Sequence, residues 1–344
     1  MGGILSAIGL LFGKLMYFIY NTIGFHNYAL SLVFFTIVYK LILLPLSIKQ
    51  TKSMQRMQEL QPELQRIQER YKHDREKLQE EQMKFYQEKG ISPTSGCLPL
   101  LIQMPIIIAL FYVIRMPMSY MLDTPARAVS YMALVSIRDG DLQNIKTDME
   151  IKDPAKDNLD DKYLQDFFQE LTKRDGYVEI KLLDIVDRKP ELVNNNPYLD
   201  DSFKRMLNEF DLKLFNFFNL GVKPEINPGK IAGDPRTYIP PLIILIISVA
   251  TSFLMMAQIS VPNQEKGKDG KQANAGCAGK GMLWMNPIMS LMFGLSTPSG
   301  LSFYWTLNNI LSFVQTKVMN TFTKKTDDTK KEGKKVAKVN NKRG

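Results

Sequence analysis

The stretch TIVYKLILLPL, residues 36–46, places a lysine, Lys40, in the middle of an apolar run that extends from Tyr28 to Ile48. The run has the ~20 residues a helix needs to cross a bilayer, so it reads as a membrane span. A lysine near the centre of such a span costs about 2.5–3.5 kcal/mol on insertion scales. Two uses can offset that cost. The stem can stretch toward the headgroups and anchor the helix, or the ammonium can sit in a polar site inside the membrane. The residues alone leave both readings open.

Four further apolar stretches follow Lys40. They are 97–117, 239–259, 284–297 and 300–319, the last two separated by the breaker STPSG at 296–300. The chain is 45% hydrophobic, yet its mean hydropathy is slightly negative, because charged blocks alternate with these runs. The expected fold class is therefore an all-α polytopic membrane protein with sizeable aqueous parts, built on a five-helix transmembrane bundle.

Charge gives the orientation. Residues 119–238 hold 17 Lys/Arg against 22 Asp/Glu, whereas the remainder holds 27 against 13. The segment 49–90 carries ten basic residues, the loop 260–283 carries four lysines, and the tail from 321 is Lys-rich. With five spans these three basic segments share one side, which the positive-inside rule assigns to the cytosol. The expected order is then an outer-face interfacial helix over 1–24, span one over 25–48, and a cytosolic helical hairpin over 49–96. Span two covers 97–118, an external domain 119–238, span three 239–259, and a cytosolic loop 260–283. Span four covers 284–297 and span five 300–319, and a disordered basic cytosolic tail fills 320–344. Residues 1–24, with Lys14 as their sole charge, also admit a sixth span or an uncleaved signal anchor.

The aqueous segments read as helical. Met57, Leu60, Leu64, Ile67 and Tyr71 form a heptad seam, Lys72-His73-Asp74 breaks it, and Leu78, Gln82, Phe85 and Lys89 line a second helix that ends at Gly90. This hairpin is either a solvated spacer or a docking arm. In the external domain Leu159, Tyr163, Phe167 and Leu171 recur every four residues, and residues 199–210 read as another helix. The segment 177–186 fits a strand or a helix. Asp160-Asp161 and Asp200-Asp201 read as helix N-terminal charges rather than calcium ligands.

Several function classes lose ground on the same residues. Cys97 and Cys277 are too far apart in sequence for a disulfide framework, and His26 and His73 too dispersed for a metal site. No phosphate-binding loop, zinc-helix motif or nucleophile elbow is present, so no cofactor is expected and the chain does not read as an enzyme. The spans hold no interior carboxylate for a proton relay, and no inverted repeat is visible. The start shows no lipobox cysteine and no cleavable signal with a basic start.

The segments KQTKSMQRMQELQPELQRIQERYK, GCLPLLIQMPIIIALFYVI, MNPIMSLMFG and PSGLSFYWTLNNILSFVQ, with NLGVKPE at 219–225, resemble the YidC/Oxa/Alb membrane protein insertases. Order, spacing and the hairpin agree over roughly 10–122 and 210–320, in the five-span form of Gram-positive bacteria. The chain departs from the family at Lys40, where arginine is usual, and at Met255-Met256, where a glutamine pair is common. It also lacks the lipoprotein start and carries an insertion at about 125–210.

The resemblance implies an insertase and chaperone for membrane proteins, without nucleotide hydrolysis. It would work through a hydrophilic groove open to cytosol and lipid and carrying one cation, Lys40, in a bacterial plasma membrane. The other groove candidates are Gln103, Thr251, Ser252, Asn286, Thr306, Asn309, Ser312 and Gln315, with Ser248 and Ser290 beside them. Taken singly, each is more often a helix-packing polar residue than a groove residue. Tyr304 and Trp305 match a family motif or anchor the helix at the interface. Implied partners are nascent membrane proteins, the ribosome through the basic tail and hairpin, the bilayer, and the Sec translocon, with the protein acting as a monomer. Two other classes remain: a small-solute transporter or channel with Lys40 as counter-ion, and a membrane-anchored scaffold.

Overall fold

The structure, a computed structural model, describes residues 4–90, 98–142, 148–215, 217–258 and 280–340. Cys97, Cys277, the side chain of Gln103 and nearly all of the loop expected over 260–283 lie outside them. The N-terminal part holds α1 (Ile4–Thr22), α2 (Tyr28–Ile42), α3 (Leu44–Glu59), α4 (Gln61–Arg70), α5 (Arg75–Glu88) and α6 (Leu98–Arg115). The middle holds α7 (Pro117–Tyr120), α8 (Ala126–Arg138), α9 (Asp161–Arg174), α10 (Val178–Arg188), α11 (Glu191–Asn194) and α12 (Asp201–Asn208). A short hairpin of β1 (Lys213–Leu214) and β2 (Phe218–Asn219) follows, then α13 (Pro228–Gly233), α14 (Pro235–Gln258), α15 (Lys280–Ser296) and α16 (Ser299–Asn340). The strands pair antiparallel, with Lys213 opposite Asn219 and Leu214 opposite Phe218.

Two compact units result. The first comprises Met1–Tyr39, Leu101–Val249 and Ile288–Leu307, the second Lys40–Leu100, Ala250–Pro287 and Asn308–Gly344. In the first, α8 packs on α9 and α10 lies against α7, α8, α11 and α12. Their core is apolar: Val129, Met132, Leu164, Phe167, Leu171, Ile180 and Leu183 are all buried. Side-chain caps start the helices, satisfying amide groups that have no intrahelical acceptor. Asp160 accepts from the Tyr163 amide at 2.6 Å, and Asp200 from the amides of Ser202 and Phe203 at 2.9 Å each. The segment 178–188 is a helix, α10; it is buried on most sides, which blurs its helical periodicity.

In the same unit α1 crosses the turn of α7 closely. A Cβ built on Gly13 would lie 1.8 Å from the Tyr120 carbonyl oxygen, so only glycine permits this approach. The β2 exit strand caps α16. Ser299 N donates to Val222 O and Gly300 N to Leu220 O, both at 2.9 Å, and Ser299 Oγ donates to Asn219 O at 3.0 Å. The NLGV of NLGVKPE thus supplies the carbonyls that the first turn of α16 needs.

In the second unit α4 and α5 form the antiparallel hairpin. Leu64 and Phe85, one from each seam, are buried, and Lys89 Nζ pairs with Glu63 at 2.7 Å. Asp74 caps α5 by accepting from Lys77 N at 3.1 Å.

Two elements differ from expectation. The apolar run 28–48 is not one straight helix: it breaks between α2 and α3 with a bend of 63°. Pro45 falls at the start of α3, where a missing N–H is harmless, whereas within a continuous helix its ring would clash with the preceding turn. Beyond 320, where disorder is expected, the backbone stays helical to Asn340. That stretch has no proline and is rich in Lys, a good helix former.

Among the described residues, Pro235–Met256 is by itself long and apolar enough to cross a membrane, and the bent pair α2–α3 passes the same test jointly. Met104–Arg115 is a shorter apolar helix.

Candidate functional site

Lys40 sits two residues before the end of α2 and is half-buried. Its Nζ donates to the Ser312 hydroxyl at 2.7 Å. One turn earlier on α16, Asn309 is buried and donates through Nδ2 to Ser252 Oγ at 2.9 Å and to Thr251 Oγ1 at 3.3 Å. Four of the expected site residues, Thr306, Asn309, Ser312 and Gln315, recur every third position along α16, so each is turned about 60° from the last and Thr306 and Gln315 fall on opposite sides of the helix. The second unit thus holds two hydrogen-bonded groups one turn apart on α16, Lys40 with Ser312 and Asn309 with Thr251 and Ser252. Gln315 and Asn286 belong to the same unit and are half-buried. Gln103 lies on α6.

The first unit holds a separate set. Ser248 and Ser290 share a hydrogen bond at 2.8 Å, joining α14 to α15. Thr306 turns its hydroxyl back onto Ser302 O at 2.9 Å, the local bond by which threonine satisfies itself inside an apolar helix. Tyr304 is 1% exposed, and its hydroxyl meets that of Tyr39 at 3.0 Å. Trp305 is 7% exposed and stacks on Phe293 with ring centroids 6.3 Å apart. Both aromatics are packing residues of the helix bundle, not wet interfacial anchors.

The chemistry of the second unit's set is simple. One ammonium lies near several hydroxyl and amide groups. A cation of this kind can attract an anionic group. A lysine ammonium is a point charge on a flexible stem, suited to a weak contact that changes partners.

Sequence reading missed Tyr39, which pairs with Tyr304, and Glu179, which is fully buried in α10 and accepts from Ser119 N at 2.9 Å as well as from the Ser119 hydroxyl. A tyrosine beside Lys40 in an apolar run is a usable signal for the first. For the second the local sequence VEIKLLD reads as an ordinary amphipathic segment, and no signal exists.

The model of the family described as 60Kd inner membrane protein matches residues 18–327. Proteins called membrane protein insertase YidC align with shorter stretches. The one from Clostridium perfringens is 56% identical over 87 residues, which is 25% of this chain and 37% of that protein. The one from Clostridium tetani is 53% identical over 88 residues, 26% of this chain and 40% of the relative. For Fusobacterium nucleatum the identity is 47% over 89 residues, 26% of this chain and 43% of the relative. The aligned stretch is thus less than half the length of each of these relatives, while the family match takes in both the Lys40 helix and the polar stripe of α16, and on that match the chain belongs to the 60Kd inner membrane protein family.

Proposed function

We propose that this protein is a membrane protein insertase of a bacterial plasma membrane, which integrates nascent membrane proteins and helps them fold. The single observation that carries the reading is that Lys40, in an apolar run, donates to Ser312 one turn from Asn309, which itself bonds Thr251 and Ser252. The family match and the names of the aligned relatives support it.

In this reading five spans cross the membrane, the hairpin and basic tail face the cytosol, and residues 119–238 lie outside. The polar residues around Lys40 line a groove open to cytosol and lipid, to which Asn286 and Gln315 of the same unit also contribute. An incoming protein must carry a polar tail across ~30 Å of hydrocarbon, and each unsatisfied backbone group on the way costs several kcal/mol. A wet groove shortens the dry distance. The Lys40 ammonium attracts acidic residues of the tail, and one weak site lets them go again. The drive comes from the substrate's own apolar segment as it partitions into lipid, so no nucleotide is consumed. The basic tail and hairpin dock ribosomes by attraction to RNA phosphate, an interaction that weakens steeply with salt.

Purified protein reconstituted into lipid vesicles tests this reading. It should integrate a single-span test protein made by cell-free translation, at a rate severalfold above empty vesicles and without added ATP. Vesicles that transport a solute instead, or do neither, would remove the insertase assignment.

A further inference from the structure

Two phenylalanines on neighbouring loops of the first unit hold a backbone conformation that bulky side chains rarely adopt. Phe25, between α1 and α2, has φ 51°, and Phe215, at the tip of the β1–β2 hairpin, has φ 52°. In this region Cβ crowds the following carbonyl, and strain of this kind persists only where the surroundings enforce it. Here the enforcement is visible. Tyr28 N donates to Asp211 O at 3.0 Å, and Asn27 Nδ2 donates to Asp211 Oδ2 at 2.9 Å and to Lys213 O at 2.8 Å. The two loops are stitched to each other directly behind the strained residues.

The strain does not serve burial. Phe25 is 78% exposed and Phe215 84%, and Phe217 on the far side of the same tip is 53% exposed. Ile23, two residues before Phe25, is exposed as well. The stretch between the paired Leu214 and Phe218 reads Phe-Asn-Phe and carries no charge. The nearest charge on the hairpin, Lys213, is held back by Asp187, Nζ to Oδ2 at 2.6 Å.

Position gives these rings a partner. Asn27 caps α2, accepting from Leu30 N at 2.9 Å, and the hairpin's exit caps α16 through Leu220 and Val222. The aromatic loops therefore sit at the level where two apolar helices begin. Aromatic side chains favour that boundary between water and hydrocarbon, and anchors there set how deep and how tilted a helix sits.

We infer that Phe25, Phe215 and Phe217 insert into the headgroup–acyl boundary of the outer leaflet and fix the outer ends of α2 and α16 at one depth. This rests on the reading above that both helices cross the membrane with these ends outside. The role of the Asn27–Asp211 stitch is to hold the two loops as one rigid tip, so that the rings enter the lipid together.

The test is site-directed spin labelling of the full chain carrying Cys97→Ser and Cys277→Ser, in vesicles of phosphatidylcholine and phosphatidylglycerol. Single cysteines replace Phe25, Phe215 or Phe217, with Ser202, exposed on α12, as the aqueous reference. Relaxation by oxygen, which concentrates in lipid, is compared with relaxation by a water-soluble nickel chelate. The expected result is an oxygen-to-nickel ratio severalfold higher at 25, 215 and 217 than at 202. A ratio equal to that at 202 means the rings stand in water and overturns the proposal. Low accessibility to both reagents means that a second copy or another protein covers them, and overturns it equally. A second measurement uses Asp211→Ala, which removes a carboxylate partner of the stitch without touching either ring. It should lower the ratio at 25 and 215 together; an unchanged ratio removes the rigid-tip part. Depth does not depend on which way the protein faces in the vesicle. Failure here is therefore distinct from failure of the five-span orientation, which labelling of residue 202 by an impermeant thiol reagent in cells reads separately.

Discussion

In the segment 119–238 most buried side chains are apolar, Val129, Met132, Phe167, Leu171 and Ile180 among them, and many charges face outward in short ion pairs such as Arg188–Asp184 and Lys213–Asp187. Along α14, α15 and α16 the buried side chains are mixed, Ile244, Leu245, Leu301 and Tyr304 beside many polar ones. Ser248, Thr251, Ser252, Ser290, Thr306 and Asn309 are buried, while Ile246, Leu254, Ile288, Leu291, Val314 and Val318 are exposed. The first arrangement is what water selects: apolar area is removed from solvent, and polar side chains are placed at helix ends as caps. The second is what lipid permits. The surroundings are as apolar as leucine, so nothing drives isoleucine inward, and helices associate by close packing and by polar side chains that bond laterally. One chain thus follows two solvents, and its polar residues do different work in each. In α9 and α12 they end helices; on α14, α15 and α16 they join them, and Lys40 bonds a hydroxyl there.

If this difference is real, equal-sized insults in the two regions should have unequal effects. The largest should come from the aqueous core. Phe167 is fully buried in α9 and stacks on Tyr163, so Phe167→Ala should cost about 3–5 kcal/mol. Hydrogen exchange on the solubilised full chain should show α8 and α9 losing protection while α14 keeps its own. Equal loss in both would mean that the helices of 119–238 are not an independent core.

A smaller, pH-dependent effect should follow from Glu179. Burial pushes its carboxyl from the ordinary 4.5 up to about 7, and its hydrogen bonds from Ser119 and Met118 and the nearby Arg115 pull it back only in part. The folded state then holds a proton that the unfolded chain releases between pH 4.5 and 7. This contribution is fully present below pH 4.5, falls as pH rises, and is lost above about 7, at a cost of roughly 3 kcal/mol at most. Glu179→Gln should flatten the fall and leave the variant more stable than the parent at pH 8, as read from thermal melts across pH 4–8. A parallel fall in both proteins would show that another group titrates. Next in size, Asp200→Ala removes the cap of α12 and should cost about 1 kcal/mol, with no change in the protection of α16.

The smallest effect on stability should come from the polar contacts of α16. Asn309→Leu breaks two interhelical hydrogen bonds, yet such bonds average ~0.6 kcal/mol in membranes, because the separated helices find other partners. The variant should accumulate and melt almost as the parent does in mild detergent. A loss comparable to that of Phe167→Ala would mean that the polar set is a structural core of the bundle, and the groove reading would suffer.

What the sequence made legible follows the same division. Asp160 and Asp200 stand just before amphipathic stripes, and both are caps; STPSG at 296–300 stops one helix and starts the next. These are local signals, with cause and effect within a few residues. The bend after Lys40 was less legible, because Pro45 is compatible with a kinked span as well as with a new helix start. The alternation of Val178, Ile180 and Leu182 imitates a strand because α10 is enclosed on several sides, and periodicity needs an exposed face to show. Glu179 was invisible for a different reason: its burial depends on Ser119, 60 residues away. The partners of Lys40 were legible as polar residue types on the right helices. Which of them touch is decided by helix rotation, and Ser312 lies 272 residues from the lysine it bonds.

The central claim is that Lys40 acts as the groove's cation, and the most direct measurement is insertion of one single-span test protein whose short tail is made acidic, neutral or basic. It is run in vesicles carrying Lys40, Lys40→Arg, Lys40→Ala or Lys40→Glu protein at matched amounts. Arginine keeps the charge and should keep the activity. Alanine should lose on the order of tenfold for acidic tails, the equivalent of ~1.4 kcal/mol of lost attraction, and little for neutral ones. Glutamate should be worst for acidic tails and should recover with basic ones. Equal insertion by the Lys40 and Lys40→Ala proteins over all three tails would contradict the account and leave Lys40 as an anchor reaching for the headgroups.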